Sequence, residues 1–283
     1  MNPNLLVNIR GRLLDLGERP VVMGILNHTP DSFYAGSRIR GKRAIHERIE
    51  QILAEGGEMI DVGGYSTRPD AVEVSPQEEW ERVSMVLDVL RKDYPDVTVS
   101  VDTFRSEVAR KAVEIGGVAL VNDVSGGLLD NDMYRTVGEL QVPYILMHMR
   151  GTPKTMQSLT EYEGKVTDVV ISELLQPIRQ AREAGIKDII LDPGFGFSKT
   201  LEQNYELMRE MDKFAVLELP LLVGISRKSM IYRLLGTTPQ EALNGTAILN
   251  TFALLHGAHI LRVHDVREAV EAVKIVQMLK PQS

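Results

Sequence analysis

The chain has 283 residues, of which 43% are hydrophobic and 25% are charged, and it carries a formal net charge of −7 at pH 7. This length suits one α/β barrel of about 250 residues or two smaller domains, and the composition is that of a globular protein, not of a disordered or membrane-embedded chain. The negative charge argues against nucleic acid or an acidic membrane as the main partner, and the lack of cysteine excludes disulfides, thiolate catalysis and thiolate-bound metals.

The start of the chain predicts a short hairpin ahead of the main fold. Residues 5–16 alternate roughly between apolar and polar side chains around Arg10-Gly11-Arg12. We expect this hairpin to plug or flank one end of the fold that follows. The chain does not open on a basic segment followed by an apolar run, and no apolar run reaches transmembrane length, so we expect a cytoplasmic protein with no membrane partner.

Eight strand-like apolar segments then alternate with segments of helical pattern. The predicted strands are residues 21–26, 59–64, 97–101, 118–121, 144–149, 189–191, 221–225 and 259–263. The predicted helices are residues 42–55, a helix that begins at Ser75-Pro76-Gln77-Glu78, and residues 106–115, 130–140, 162–184, 201–211, 230–235, 239–256 and 266–279. Ser75 and Pro76 give the second helix a capping-box pattern with proline at its first position. Pro177 predicts a kink or two abutting helices within 162–184.

This alternation predicts a single (β/α)8 TIM barrel over residues 1–283, because no composition break marks a domain boundary. A doubly wound open sheet is the alternative, but Gly194-Phe195-Gly196 lacks the third glycine of the dinucleotide fingerprint. In a barrel, the residues at the carboxyl ends of the strands share one rim. The polar residues predicted on that rim are Asn27, Asp61, Asp102, Asn122, Asp192, Lys228, Arg262 and His264.

Asp192 is the clearest single candidate for a functional side chain. It follows the apolar run 189–191 and precedes Pro193 and Gly194, which end regular structure and let the backbone approach a ligand. The alternative is that Asp192 caps the helix that begins near Leu201, but the intervening loop is too long for a simple cap. We therefore favour a catalytic or binding role for Asp192.

The rim residues fall into two chemical groups. Asp102, Asn122 and Asp192 form an acceptor-rich wall suited to a planar heterocycle with amino and ring N–H donors, and Lys228 could donate to its carbonyl or ring nitrogen. Arg262 and His264 lie two residues apart on one strand, so they point the same way and could hold an anion such as phosphate.

Structural roles explain several other polar residues. His148 lies between two methionines and is predicted to be a buried, hydrogen-bonded histidine, while His256 and His259 are assigned to packing. No dense spacing of metal ligands is present in the sequence. Ser226 has no evident catalytic triad, because His264 is assigned to the anion site.

Six segments of the chain resemble dihydropteroate synthase. They are MGILNxTPDSF (23–33), DVGGxSTRP (61–69), SVDT (100–103), DPGFGF (192–197), SRKS (226–229) and RVHDV (262–266). Enzymes of this family are (β/α)8 barrels and homodimers that join 6-hydroxymethyl-7,8-dihydropterin diphosphate to p-aminobenzoate and release diphosphate in folate synthesis. Enzymes of this family are the target of sulfonamides, which mimic p-aminobenzoate.

The resemblance also implies a role for each matching residue. The pterin would be held by Asp102, Asn122, Asp192 and Lys228, with Met147 on its face. Diphosphate would be bound by Asn27, Arg262 and His264, with Asn27 also a ligand of Mg²⁺. The p-aminobenzoate pocket would be formed by Phe33, Thr67, Pro69, Phe197, Lys228 and Ser229. Asp61 and Arg68 complete the predicted substrate site, and the predicted catalytic residues are Asp102, Asp192, Lys228, Arg262 and His264.

The mechanism that the resemblance implies is dissociative. Diphosphate leaves first, and the amino group of p-aminobenzoate then captures the pterin methylene cation, so electrostatic stabilisation should dominate. Two alternatives remain. One is a corrinoid-dependent, pterin-binding methyltransferase, which would not need the SRKS, STRP or Arg-x-His segments. The other is a noncatalytic pterin-binding protein.

Overall fold

The computed structural model describes residues 5–28, 38–65 and 73–279, without the side chains of residues 38–40. Two strands form a hairpin, β1 (Leu6–Ile9) and β2 (Arg12–Asp15). The strands of the main sheet are β3 (Val21–Asn27), β4 (Met59–Gly63), β5 (Thr98–Asp102), β6 (Leu120–Asp123), β7 (Tyr144–Met147), β8 (Ile189–Asp192), β9 (Leu222–Val223) and β10 (Ile260–Val263).

Helices follow the strands of the main sheet. They are α1 (Arg38–Ala54), α2 (Pro76–Asp93), α3 (Ser106–Glu114), α4 (Met133–Leu140), α5 (Val166–Glu183), α6 (Leu201–Arg209), α7 (Ser229–Leu235), α8 (Leu243–Leu255) and α9 (Val266–Leu279). Two 3₁₀ segments, Met156–Ser158 and Met211–Leu217, complete the regular structure of the described residues. Among these helices, none is long and apolar enough to cross a lipid bilayer.

The main sheet curls into a barrel of parallel strands. Its hydrogen-bonded order is β8-β7-β6-β5-β4-β3-β10-β9, which is the chain order apart from the point of closure. A parallel bridge between Leu191 and Leu221 joins β8 to the start of β9, and the Leu191 N–H donates to the Pro220 carbonyl at 2.8 Å. The predicted (β/α)8 TIM barrel is therefore confirmed, and the open doubly wound sheet is wrong.

The hairpin plugs the amino end of the barrel. Arg10 and Gly11 both have positive φ, as the tight turn between β1 and β2 requires. Val7, Ile9 and Leu16 are buried in one cluster with residues from the barrel interior. Those partners are Val21, Met23, Met59, Ala119, Leu120, Ile145, Ile190, Leu222 and Ile260. The predicted position of the hairpin at a barrel end is confirmed, and the opposite end is left to carry function.

A second apolar layer lies between the strands and the helices. Buried residues on one face of α2, for example Val83, Val86 and Leu90, pack in the same cluster as Val62 and Val101 of the barrel. Each of these helices stabilises the barrel through one apolar stripe, so the strands read as nearly continuous apolar runs. The side chains at the carboxyl ends are thus fixed by packing on both sides of the sheet.

The helix termini follow the predicted capping chemistry in part. Ser75 accepts a hydrogen bond from the Glu78 N–H at 3.2 Å with Pro76 at the first position, but the Glu78 carboxylate pairs with Arg82. Thr200 caps α6 in a reciprocal capping box with Gln203. Because Thr200 fills that position, Asp192 is not the cap of this helix.

Pro177 does not divide its helix. Helix α5 runs without interruption across it, so the prediction of two abutting helices is wrong. The buried stripe of Val170, Leu174, Ile178 and Ala181 continues on both sides of the proline. Packing of that stripe against the barrel holds the two halves of the helix in one line, at the cost of one backbone hydrogen bond.

Candidate active site

The carboxyl ends of the barrel strands bring the predicted polar residues to one rim. Asp102 on β5 lies directly opposite Asn122 on β6, and Met147 on β7 lies opposite Asp192 on β8. Parallel register places each pair at one height along the barrel axis, and Met147 lies two positions beyond Ile145, the partner of Asn122 on β7. The sequence predicted this adjacency from strand order alone.

The described residues form a cavity of about 730 Å³ at this rim. The predicted site residues that line it are Asn27, Asp102, Phe197, Lys228, Ser229, Arg262 and His264. The remaining described ones are more deeply buried, with exposed fractions of 0% for Asp61, 3% for Asn122, 3% for Met147 and 6% for Asp192. The predicted residues Phe33, Thr67, Arg68 and Pro69 lie outside the described residues.

Arg262 lies at the centre of a buried network of charges. Its Nε donates to Asp61 Oδ2 and its Nη2 to Asp102 Oδ2, both at 2.6 Å. Asp61 Oδ2 also accepts from Asn122 Nδ2 at 3.0 Å. This bond turns the Asn122 carbonyl oxygen away from Asp61, so that oxygen is available as an acceptor. Asp61 is fully buried and therefore orients Arg262 and Asn122, while Asp102 faces the cavity.

The electrostatics of this network set the protonation of Asp102. Burial raises the pKa of Asp102 to about 7, although the charge of Arg262 opposes that rise and Asp61 adds to it. The two carboxylates raise the pKa of Arg262 despite its desolvation, so the guanidinium stays charged. Asp102 can therefore change its charge near neutral pH while its arginine partner cannot.

Asp192 at the end of β8 and Lys228 at the N-cap of α7 interact electrostatically. Asp192 Oδ1 accepts from the Gly194 N–H at 2.8 Å, and burial raises the pKa of Asp192 although Lys228 lowers it. Lys228 Nζ donates to the Phe195 carbonyl at 2.6 Å and lies 4.5 Å from the centre of the Phe197 ring. Burial lowers the pKa of Lys228 to about 8 against the pull of Asp192. The pair offers one acceptor and one donor to a ligand.

An apolar surface lies beside the acceptor wall. Met147 and Phe197, both predicted site residues, form one buried cluster with Val124, Met149 and Met156. Polarisable thioethers and a ring suit the flat face of an aromatic or heterocyclic ligand. The sequence analysis did not single out Met149 or Met156, because a methionine in a loop carries no signal of its own.

His264 is held in one orientation by Ser226. The Ser226 Oγ accepts from the His264 backbone N–H at 3.1 Å and lies 3.1 Å from His264 Nδ1. If Ser226 donates its own proton to Nδ1, the Nε2–H of the ring remains as a donor. Desolvation at the rim and the charge of Arg262 lower the pKa of His264, so the ring favours its neutral form. The third group of a triad is absent among the described residues, because Asp265 pairs with Arg227 at 2.7 Å and 2.8 Å.

Asn27 is the residue that fits a metal ion at this rim. Its Oδ1 atom is buried and has no hydrogen-bond partner among the described residues. Over the same ranges, no group of three or more histidine or acidic side chains could hold a metal by itself. A single amide oxygen therefore suits Mg²⁺, which keeps several waters and binds phosphate oxygens of a substrate.

Sequence reasoning missed a buried lysine next to the site. Lys199 is 5% exposed, and its Nζ lies 3.0 Å from His148 Nδ1, 3.0 Å from the Gly194 carbonyl oxygen and 3.1 Å from the Phe197 carbonyl oxygen. His148 is buried and bonded to Glu173 at 2.8 Å, which confirms its predicted structural role. Burial lowers the pKa of Lys199 to about 7, with Asp192 opposing. The sequence signal that could have indicated this lysine is its position directly after a glycine-rich turn.

A second missed cluster supports the β4 side of the rim. Glu79 is fully buried and bonds Thr103 at 2.6 Å and the Arg105 guanidinium. Arg105 lies over the ring of Tyr65, 5.2 Å from its centre, and Tyr65 lines the cavity. Tyr65 also meets Phe104 edge to face at 5.1 Å. The cluster fixes one aromatic wall of the cavity.

Comparisons with known proteins give a consistent match. Residues 23–264 match the family model described as "Pterin binding enzyme". The dihydropteroate synthase of Escherichia coli (strain K12) is 42% identical over 270 residues, which cover 95% of this chain and 94% of the relative. A Yersinia pestis dihydropteroate synthase, solved with a sulfonamide drug, is 40% identical to this chain. The match covers 97% of this chain and 98% of the Yersinia pestis chain, with a TM-score of 0.89.

A third relative was solved with a pteridine product. The dihydropteroate synthase of Xanthomonas albilineans in complex with 7,8-dihydropteroate is 33% identical to this chain. The match covers 98% of this chain and 100% of that one, with a TM-score of 0.86. Sequence and fold thus match these relatives over nearly the whole chain.

Proposed function

Because this chain belongs to the dihydropteroate synthase family of pterin-binding enzymes, we propose that its rim joins 6-hydroxymethyl-7,8-dihydropterin diphosphate to p-aminobenzoate. The products are 7,8-dihydropteroate and diphosphate, so the enzyme is a transferase of folate synthesis. One observation carries the proposal: Asp102, the member of the buried acceptor wall that lines the cavity, bonds Arg262, and Arg262 and His264 line the same cavity. The acceptor wall suits a pterin, and the Arg262–His264 pair suits its diphosphate.

The pterin ring binds through the acceptor wall. Asp102, Asp192 and the free carbonyl oxygen of Asn122 accept from the amino and ring N–H groups, and Lys228 donates to the ring. Because these acceptors are buried, a ligand that lacks the donors leaves them unpaired at about 1–3 kcal/mol each. Met147 covers one face of the ring. The wall therefore selects a pterin over other flat heterocycles.

The diphosphate leaves through the cationic side of the cavity. The Arg262 guanidinium remains charged because two carboxylates hold it, and its Nη1 has no partner among the described residues. The His264 Nε2–H can donate while the ring stays neutral. Asn27 would contribute one oxygen to Mg²⁺. When bound, Mg²⁺ supplies Lewis-acid stabilisation of charge on the leaving group.

The arylamine binds on the outer side of the cavity. Phe197 and Lys228 form one wall, with Ser229 at the start of α7, and the predicted residues Phe33, Thr67 and Pro69 would complete the pocket. As the bond from the methylene carbon to the diphosphate oxygen breaks, positive charge develops near Asp102 and Asp192. Buried carboxylates stabilise that charge better than water does, because they need no reorganisation. The amine lone pair then forms the new carbon–nitrogen bond, and the nitrogen releases a proton.

We also propose that sulfonamides compete with p-aminobenzoate here, as the Yersinia pestis relative was solved with such a drug. A homodimer in the cytoplasm is part of the same proposal. Sedimentation equilibrium of the purified protein tests the dimer, and a monomer at micromolar concentration would contradict it. Fractionation of the source cells tests the location.

The decisive experiment measures diphosphate release by the purified protein with pterin diphosphate, Mg²⁺ and increasing p-aminobenzoate. We expect release to depend on p-aminobenzoate and to match 7,8-dihydropteroate one for one. In Asp192→Asn, an amide donor would face the N–H groups of the pterin, so kcat/KM should fall at least about tenfold, the rate equivalent of about 1.4 kcal/mol. Pterin binding without release would instead indicate the noncatalytic alternative, and methyl transfer the other one.

A further inference from the structure

Lys199 forms a fully satisfied buried ammonium site. Its Nζ can donate its three N–H groups to His148 Nδ1, the Gly194 carbonyl and the Phe197 carbonyl, at 3.0 Å, 3.0 Å and 3.1 Å. An ammonium has three donors and no acceptor, so each donor has one partner. Buried polar groups are expensive unless they are paired in this way. All three partners accept hydrogen bonds, so the charged form of lysine fits this site, although burial lowers the pKa of Lys199 to about 7.

The partner on the far side fixes the histidine tautomer. Since Nδ1 of His148 accepts from Lys199, its proton must lie on Nε2, which donates to Glu173 Oε2 at 2.8 Å. Arg150 Nη2 donates to the other Glu173 oxygen at 2.5 Å. Burial raises the pKa of Glu173, but the hydrogen bonds from His148 and Arg150 outweigh it and bring that pKa to about 2. Lys199, His148, Glu173 and Arg150 therefore form a chain of hydrogen-bonded groups, which are in order a cation, a neutral ring, an anion and a cation.

The two carbonyls held by Lys199 belong to the loop that shapes the proposed active site. In this loop the Gly194 N–H donates to Asp192 at 2.8 Å, and the Phe195 carbonyl accepts from Lys228 at 2.6 Å. The Phe197 ring lies 4.5 Å from Lys228 Nζ. Lys199 therefore fixes the backbone on both sides of the atoms that orient Asp192 and Lys228.

The backbone of this loop has an unusual shape that several buried hydrogen bonds support. Gly194, Gly196 and Ser198 all have positive φ, with values of 72°, 79° and 47°. Buried carbonyls in such a turn need hydrogen-bond donors from the protein, and the Gly194 carbonyl also accepts from the Phe197 N–H at 3.1 Å. Lys199 takes up two of those carbonyls, and Asn204 Oδ1 accepts from the Gly196 N–H at 2.6 Å.

We propose that Lys199 is a positioning residue for the transfer reaction, in that its ammonium, supported by His148 and Glu173, holds the 193–198 loop so that Asp192, the Phe195 carbonyl and the Phe197 ring face the substrates. The inference rests on the function proposed above. On this proposal, Lys199 is a buried cation that touches no substrate. It is nevertheless necessary for binding both the pterin and the arylamine.

The structure allows a chemical test of this role. Lys199 borders a second cavity of about 160 Å³, next to Thr160, Thr200 and Asn204. In Lys199→Ala the missing atoms correspond to propylamine, and this cavity gives a small amine a route to the empty position. Propylammonium can make the same three hydrogen bonds, whereas tetramethylammonium carries the charge but no N–H.

We expect Lys199→Ala to lower kcat/KM for p-aminobenzoate at least 30-fold. Propylammonium should raise the kcat/KM of Lys199→Ala at least fivefold, and the effect should saturate as its concentration increases. Tetramethylammonium at equal ionic strength should not raise kcat/KM. Lys199→Met, which fills the stem position, should lose as much and gain nothing from either amine. Lys154→Ala is the matched control on a neighbouring loop, because the partner of that lysine among the described residues is the exposed Glu73, at 2.9 Å.

The outcomes separate cleanly. Activity of Lys199→Ala within threefold of the parent, or equal effects of the two amines, would overturn the positioning role. If Lys199→Ala fails to fold, Lys199→Met decides: a 30-fold loss with an unchanged thermal midpoint supports the proposal, and activity within threefold overturns it. If the parent protein itself shows no p-aminobenzoate-dependent release of diphosphate, the proposed function fails, whatever the variants do.

Discussion

Asp61→Asn tests whether a fully buried carboxylate organises both halves of the site. Asp61 Oδ2 accepts from Arg262 at 2.6 Å and from Asn122 at 3.0 Å, so one oxygen orients the cation of the diphosphate site and an acceptor of the pterin site. The substitution keeps the size of the side chain and removes its charge. It also sets an amide donor against the donors of two partners.

The size of the effect follows from burial. Removing one partner of a buried ion pair costs about 3–5 kcal/mol. Arg262 keeps its second bond to Asp102 at 2.6 Å, so we take the lower end, about 3 kcal/mol. If the loss falls on the transition state, kcat/KM decreases on the order of 100-fold. If it falls on the fold, the free energy of unfolding decreases by a similar amount.

Two measurements divide the loss between these terms. Urea unfolding can be followed by the fluorescence of Trp80, the single tryptophan of the chain, and kcat/KM by diphosphate release. Asp102→Asn is the matched control, because Asp102 bonds the same guanidinium but lies at the cavity. We expect that variant to lose activity with less than about 1.5 kcal/mol of stability. For Asp61→Asn, activity within threefold of the parent would refute the orienting role, even with a weakened fold.

Three further predictions concern pH and backbone shape. The pKa values of Asp102, about 7, and Lys228, about 8, predict that kcat/KM for the pterin substrate rises through the first and falls through the second, and that Asp102→Asn loses the acidic limb. A flat profile from pH 6 to 9 contradicts this. Gly194→Ala places a Cβ 1.9 Å from a backbone carbonyl oxygen at φ +72°, so the free energy of unfolding should drop by more than about 3 kcal/mol, against about 1–2 for Gly164→Ala, where φ is +112° and no atom lies within 4 Å. Equal losses in denaturant melts would show that the close contact relaxes. Burial lowers the pKa of His148 from 6.5 to about 4, so the native state favours the neutral ring, and stability present above pH 6.5 is lost as pH falls towards 4, on the order of 3 kcal/mol. His148→Gln should reduce that slope in melts from pH 7 to 4, and an identical slope would exclude His148 as its source.

The sequence predicts the barrel and its functional rim because both depend on local patterns. Apolar runs that end in Asp102, Asn122 and Asp192 place those side chains at strand ends without any knowledge of distant contacts. The role of Asp61 depends on the pleat instead. It lies two residues before the end of β4, deep in the barrel, and meets an arginine 201 positions away.

Contacts between loops could not be predicted in the same way. Lys199 meets His148 across 51 residues of sequence, and Ser226 meets His264 across 38. The sequence analysis gave Ser226 no triad and assigned His264 to the anion site, and it did not predict the contact between them. Pairings of this kind depend on how the barrel brings successive loops together, which no short segment of sequence encodes.

The hairpin that closes the amino end has a consequence for the order of events during synthesis. Its strands leave the ribosome before any strand of the barrel, yet the apolar surface that buries Val7, Ile9 and Leu16 is assembled from residues as late as Leu222 and Ile260. The hairpin must therefore wait, with its apolar side uncovered, until almost the whole barrel has been made. Such a segment is exposed to chaperones and proteases for most of translation. It becomes buried only when the last strands of the barrel have been made.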